Sequence, residues 1–269
     1  MPANPNNNPS KPRFKNQGEV TKVAIPEDLY VYLHEQAGID TSQSHIGGSN
    51  YTRRLLDKLE LNENSNVLDI GCGRGGELTE IAEETGTYVY GIDSNKAIYK
   101  KAKEHAEQSE NVEVKFGKAE GSASYPDDTQ FGAGICLGVL PFIKNKKAVW
   151  KNAHNVIKED GVFVFTEFPP TVPKEEVEDL YWPQELTPPP VKEEMEGVLK
   201  EVGFEDITAT DRTKELKEQT IEVKDSYPRQ EVKELFSEEY EKTARDLLSN
   251  WIDALDKRKI EFASVWCQK

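Results

Sequence analysis

One segment restricts the folding options of this chain more than any other. Val67-Leu-Asp69-Ile-Gly71-Cys-Gly73-Arg-Gly75-Gly76 sets Gly71, Gly73 and Gly76 in G-x-G-x-x-G order, directly between an apolar run and a helical pattern. That context separates a ligand-cradling turn from a chance glycine triplet. Glycine lets the backbone turn tightly and lets a ligand approach with no Cβ in the way. The run Asn66–Ile70 predicts a short buried strand. Leu78, Ile81 and Ala82 then share one face of a helix over Gly75–Thr85.

The same alternation continues downstream. Tyr88–Ile92 predicts a strand and Asn95–Gln108 a helix capped by Ser94. Strands over Val112–Phe116 and Gly132–Leu137 follow, then a helix over Lys146–Ile157 and the strand Val162–Glu167. Strands and helices joined by short connections predict an α/β chain with a parallel sheet covered on both faces. Upstream, a helical pattern starts near Asp28, and Tyr51, Leu55, Leu56 and Leu59 form an apolar stripe. Beyond Glu167, Pro169, Pro170, Pro173, Pro183 and Pro188–Pro190 mark an irregular insertion. A helix over Val191–Val202, ended by Gly203, and a strand over Phe204–Ala209 follow. After a polar stretch come a long helix, roughly Gln230–Lys257, and a last strand, Ile260–Cys267. The division this suggests is a flexible tail (1–22), an N-terminal helical lid (23–60) and a main domain (61–269). Insertions fall at about 169–190 and 211–258.

Charge narrows the partners. Forty-nine acids against 34 bases give a formal charge of −15, which disfavours nucleic acid and anionic membrane surfaces. Between Thr171 and Lys242 there are 21 acids and 10 bases, a solvated acidic face or a device that draws in a cationic substrate. Cys72, Cys136 and Cys267 are odd in number and widely spaced, so neither a disulfide framework nor a zinc site is indicated. The four histidines show no metal-ligand spacing, and no metal is expected. The first ten residues lack the apolar core of a secretory signal, and the uncharged, largely apolar stretch Phe131–Ile143 is too short to span a bilayer. A cytoplasmic protein acting on a small molecule is expected, as a monomer or homodimer.

Two carboxylates say what the glycine turn holds. Asp93, 17 residues beyond Gly76 and at the end of the next strand, is placed to accept hydrogen bonds from both hydroxyls of an adenosine ribose. Asp69 stands two residues before Gly71, facing the polar end of the ligand. A fixed carboxylate there repels the pyrophosphate of a dinucleotide. It suits S-adenosylmethionine, which has no phosphate and carries a sulfonium and an ammonium group. The blander alternative is a helix-start turn with an ordinary surface Asp.

With these residues in place, the stretch from about Asn50 to Glu167 resembles the class I S-adenosylmethionine-dependent methyltransferases. The resemblance implies a Rossmann-like fold, a doubly wound, mostly parallel seven-stranded sheet. It implies that Asp69, Gly71, Cys72 and Gly73 border the methionine part of the cofactor and that Asp93 holds the ribose. Ser94 then lies beside the adenine. Gly117-Lys-Ala119-Glu120 is similar to the family's G-D-A turn, with Lys118 in place of its acid, so that Glu120 or a backbone group supplies the adenine contact. Pro126–Phe131 is similar to the P-x-x-x-F-D run, with Gly132 in place of its Asp. Leu137 lines the cofactor's other edge.

A narrower resemblance links Ser44-His45-Ile46-Gly47-Gly48 and the helix after it to the phosphoethanolamine and sarcosine/dimethylglycine N-methyltransferases. There this segment folds over the cofactor, which implies cofactor contacts for His45, Ile46 and Gly47. Trp251-Ile-Asp-Ala and Ile260–Gln268 resemble the closing helix and strand of the same group. The histidine that phosphoethanolamine enzymes carry after the fourth strand is absent from Leu137-Gly-Val-Leu-Pro141-Phe142. His45 orders its loop or serves the substrate.

The acceptor site is open to more than one reading. Glu167 ends the fifth strand, and Tyr181 and Trp182 lie in the Pro-rich insertion. A carboxylate with aromatic faces suits an ammonium group. Tyr30 is a further candidate for substrate contact. The competing view has Glu167 capping a neighbouring helix and the aromatics packing in a lid, while Trp150, Trp251 and Trp266 are expected in the core. A small amine or amino acid is the preferred acceptor. O- or C-methylation of a small hydrophobic metabolite, or a non-catalytic cofactor-binding module, are the alternatives.

Overall fold

The computed structural model describes residues 35–38, 41–43, 45–177, 180, 187, 189–227, 229–235 and 238–269. The expected tail (1–22), Tyr30, Tyr181 and Trp182 lie outside them. Seven strands form one sheet: β1 (Asn66–Ile70), β2 (Tyr88–Asp93), β3 (Val112–Phe116), β4 (Phe131–Cys136), β5 (Ile157–Glu167), β6 (Glu205–Asp211) and β7 (Ala263–Gln268). Their order is β3-β2-β1-β4-β5-β7-β6. The first five run parallel, and β7 is antiparallel to both β5 and β6. Strand order reverses between β1 and β4, and a crevice opens at the carboxyl ends of the strands where that happens.

The described helices are α1 (Gly48–Leu59), α2 (Gly76–Thr85), α3 (Lys96–Ala106), α4 (Lys146–Val156), α5 (Lys192–Val202), α6 (Thr213–Asp225), α7 (Arg229–Leu235) and α8 (Glu238–Asp256). Side chains alternate across the strands, so one sheet face buries Leu68, Ile70, Phe163 and Phe165 with Trp150 of α4 and Leu199 of α5. The other buries Val67, Val89, Ile135 and Val164 with Leu78 and Ile81 of α2. Tyr51 and Leu55 of α1 belong to this second core. The described helix within the expected lid thus packs on this core. A third, smaller core joins Leu216 of α6 to Ala254 and Leu255 of α8, with Phe262, Ile260 and Val177.

Several expected boundaries are corrected. Asn95, not Ser94, caps α3, its side chain accepting from the amides of Ala97 and Ile98 at 3.0 and 3.3 Å. The polar stretch after β6 is helix α6, missed because its buried face is thin: Thr213, Leu216 and Val223. The long closing helix is two, α7 and α8. β5 begins at Ile157, straight out of α4. Ile260 precedes β7 and makes only an isolated bridge to Pro170. Of the three tryptophans expected in the core, Trp150 is fully buried, whereas Trp251 and Trp266 are half-buried.

Candidate functional site

Register brings the chemistry to one edge. Asp69 of β1 lies opposite Gly91 of β2 and Ile135 of β4, so the glycine turn, Asp93 and Leu137 stand together at the carboxyl end of the sheet. Glu167 of β5 pairs with Ala263 at the same end.

The turn is fastened from below. The amides of Gly71 and Cys72 both donate to Ile92 O, at 2.7 and 3.1 Å. The Cys72 side chain is buried and packs where a Cβ on Gly91 would stand, so only its backbone faces the crevice. Asp93 Oδ2 accepts from Gly73 N at 3.1 Å and Oδ1 from Asn95 N at 2.7 Å. Gly73 has φ +55°, and a Cβ built on it meets nothing within 4 Å among the described residues beyond its chain neighbours. Backbone without a Cβ and open space at this point form a cradle.

Three carboxylates surround that cradle. Asp69 is 1% exposed and its Oδ2 has no hydrogen-bond partner among the described residues. Burial, reinforced by Glu77 and Asp93, pushes its carboxyl well above the ordinary range. Glu77, near the start of α2, is raised by burial against the pull of His45 and of the Thr52 hydroxyl. Asp93 is raised by burial against three backbone hydrogen bonds. A cation relieves all three, and an added anion makes all three worse. An orphaned buried carboxylate oxygen beside a vacant, glycine-lined space therefore fits a positively charged adenosine cofactor and opposes a pyrophosphate.

A strap of chain crosses the edge. Ser42 O accepts from Gly76 N at 3.3 Å, which fixes the strap to the start of α2. Thr52 Oγ1 lies 2.7 Å from Gln43 Oε1 and 3.2 Å from both Glu77 Oε1 and His45 Nε2. Gln43 and Ser49 also bond Glu80. His45, 7% exposed, packs next to Gly138, just past β4. Ile46 directs its side chain into the third core rather than the crevice. Arg74 turns towards Thr41 at 3.5 Å and Glu35 at 4.0 Å.

The flank expected to meet the adenine is compact. Ser94 is exposed. Ala119 is buried, and its carbonyl accepts from Tyr125 Oη at 2.7 Å and Asn152 Nδ2 at 3.1 Å. Glu120 is half-buried beside it. Leu137 is buried on the opposite flank.

Glu167 lies elsewhere than an open sheet edge. It is 0% exposed, its Oε1 accepts from Phe168 N at 3.1 Å, and its Oε2 lies 3.6 Å from Lys146 Nζ. Lys146 also donates to Leu140 O and, at 3.1 Å, to Ile143 O. The buried pair thus braces the turn after β4 instead of presenting a carboxylate to the crevice. Phe142, on the short 3-10 turn Leu140–Phe142, is 70% exposed. Sequence reasoning missed Thr52, Glu77, Phe142 and Lys146. The position of Glu77 behind the glycine turn was the one signal available, since a carboxylate suits a helix N-terminus.

Residues 61–239 match the family described as "Methyltransferase domain". The phosphoethanolamine N-methyltransferase of Triticum aestivum is 31% identical over 170 residues, covering 62% of this chain and 33% of that protein. The chain thus spans about a third of that relative's length. The phosphoethanolamine N-methyltransferase of Plasmodium falciparum (isolate 3D7) is 27% identical over 201 residues, 71% of this chain and 74% of that protein. Among solved structures, phosphoethanolamine N-methyltransferase 2 of Haemonchus contortus, bound to phosphomonomethylethanolamine and S-adenosylhomocysteine, superposes with a TM-score of 0.73. Identity there is 20%, over 91% of this chain and 58% of that one.

Proposed function

The chain belongs to the methyltransferase-domain family, and on that premise we propose that it transfers a methyl group from S-adenosylmethionine to a small amine or amino acid. The observation that carries the cofactor is the cradle at Gly73, ringed by Asp69, Glu77 and Asp93. S-adenosylmethionine, when bound, supplies an electrophilic methyl on a positive centre. In this reading the Cβ-free backbone of Gly71 and Gly73 and the carboxylates of Asp69 and Asp93 hold and orient it. Ser94, Ala119, Glu120 and Leu137 enclose its adenine, and the strap His45–Gly47 excludes water from above. Alignment and exclusion of water carry the rate, because charge disperses as a cationic donor meets a neutral nucleophile. Asp93→Ala is expected to weaken S-adenosylmethionine binding by about 1–3 kcal/mol, the cost of leaving donors without a charged acceptor. Unchanged affinity by calorimetry in a folded variant would remove Asp93 from the site.

On the acceptor side, Phe142 supports the amine reading. It offers an aromatic face at the carboxyl edge of β4, and the surplus of acids in the sequence from 171 to 242 favours a cation's approach. Among the described residues, Phe142 takes the part expected of Tyr181 and Trp182, while Glu167 serves the turn beneath it. We expect Phe142→Leu to raise the KM of an amine acceptor about three- to tenfold, as apolar area is kept and the ring's attraction for a cation is lost. Phe142→Tyr should stay near wild type. A screen of amines, amino acids and phenols, read by S-adenosylhomocysteine release, tests the whole proposal. The second reading, a small hydrophobic acceptor methylated at oxygen or carbon, is favoured by the lack of any titratable side chain from Leu137 to Ile143. Preference for a neutral phenol would establish it and sink the first. Among the described residues no helix is long and apolar enough to cross a membrane. Action in the cytoplasm, as a monomer or homodimer, completes the proposal.

A further inference from the structure

The strap over the crevice is held at its far end by a residue from the other end of the chain. Arg212 follows β6 directly, and Asp211 pairs with Ala263, which pairs with Glu167. Arg212 therefore stands at the same carboxyl edge as the cradle, two strands beyond β5. It is 5% exposed. Its Nη2 donates to Ile46 O at 3.0 Å, and its guanidinium lies 3.3 Å from the centre of the Tyr51 ring. Nε bonds Glu215 Oε2 at 3.1 Å, and Nη1 is buried with no partner among the described residues. Seven residues on, Gln219 Oε1 accepts from Gly47 N at 3.1 Å. Gly47 has φ +90°, and a Cβ there would stand 2.8 Å from Arg212 Nη2 and 2.9 Å from Tyr51 Cβ. No other residue type fits so close an approach.

A buried charge gains little stability over an apolar side chain of like size, and one of its donors here is unused. What the arrangement does accomplish is geometric. One end of the strap is fixed to α2 through Ser42 and Gln43, and the other to α6 through Ile46 and Gly47. Ile46 adds its side chain to the core that α6 shares with α8. We infer that Arg212 is a positioning residue for the cofactor: it pins His45–Gly47 across the crevice and sets how long the cofactor stays. This rests on the reading above that the strap covers S-adenosylmethionine. Arg212 touches neither reactant; it acts through the strap.

The test compares Arg212→Met, Arg212→Lys and Gln219→Ala with wild type. Affinity is measured by calorimetry, dissociation by stopped flow, and turnover at saturating S-adenosylmethionine. Arg212→Met should raise the Kd and KM for S-adenosylmethionine about tenfold, the worth of one hydrogen bond to a charged donor, through faster release. Turnover at saturation should stay within about twofold, since the acceptor side is untouched. Arg212→Lys should recover part of the loss. Gln219→Ala should shift Kd about two- to fivefold the same way, the worth of a neutral hydrogen bond. A folded Arg212→Met with wild-type Kd and release rate overturns the inference, as does a fall in turnover with Kd unchanged. Should Arg212→Met fail to fold, unaltered affinity in Gln219→Ala overturns it instead. Wild type that binds no S-adenosylmethionine defeats the functional reading itself, a result distinct from either.

Discussion

Replacing Lys146 with Met is expected to destabilise the protein by about 3–5 kcal/mol at pH 8, because a carboxylate is then buried with no cation beside it. Glu167 has no exposed surface and meets Lys146 at 3.6 Å. Burial lifts its carboxyl from an ordinary 4.5 to about 7, against the pull of Lys146 and of the Phe168 amide. Burial also lowers the Lys146 ammonium from its usual value, with Glu167 opposing the shift. A folded pKa above the unfolded one means that the native chain binds more protons between pH 4.5 and 7. The Glu167 contribution to stability is therefore complete below pH 4.5 and lost as the pH rises through 7. Without Lys146 the carboxyl climbs further, so the deficit of the variant should shrink in acid, where a proton replaces the ammonium. Urea melts at about pH 5.5 and pH 8 check this. An equal deficit at both would mean that Glu167 is not the group left uncompensated.

Gly73→Val should do the opposite: keep the fold and lose the cofactor. The protein has room for the side chain, since no atom stands within 4 Å of the new Cβ. A β-branched residue at φ +55° is strained by about 1–2 kcal/mol, which a folded domain tolerates. The vacant space, however, is the cradle. Filling it and tilting the Gly73 amide away from Asp93 should weaken S-adenosylmethionine binding more than about 100-fold, some 2.7 kcal/mol. Circular dichroism melts and calorimetry separate the two effects. Binding retained in a folded variant would mean that the turn holds something else.

The sequence was legible where one principle acted alone. Short, largely apolar runs at 66–70 and 88–92 and the glycine triplet between strand and helix made the first half of the sheet plain. α6 was not legible, because Thr213, Leu216 and Val223 make too thin a stripe among Lys and Glu to register as amphipathic. The cap of α3 went to the wrong neighbour, since Ser94 and Asn95 are both good caps and only backbone geometry separates them. Glu167 was read correctly as the end of a strand, but its facing partner, Lys146, lies 21 residues earlier on another element. Arg212 carried no local signal at all. Its meaning lies in contacts with Ile46 and Tyr51, which no spacing along the chain encodes.

The antiparallel β7 has a consequence for how the protein is made. Ala263–Gln268 lies between β5 and β6 and hydrogen-bonds to both. A ribosome therefore delivers the strand that joins them after every other described strand. Until it emerges, β5 offers a bare edge, β6 has nowhere to dock, and this half of the sheet cannot grow in step with synthesis. The surplus of acids between 171 and 242 meanwhile opposes pairing of the open edge with another nascent chain.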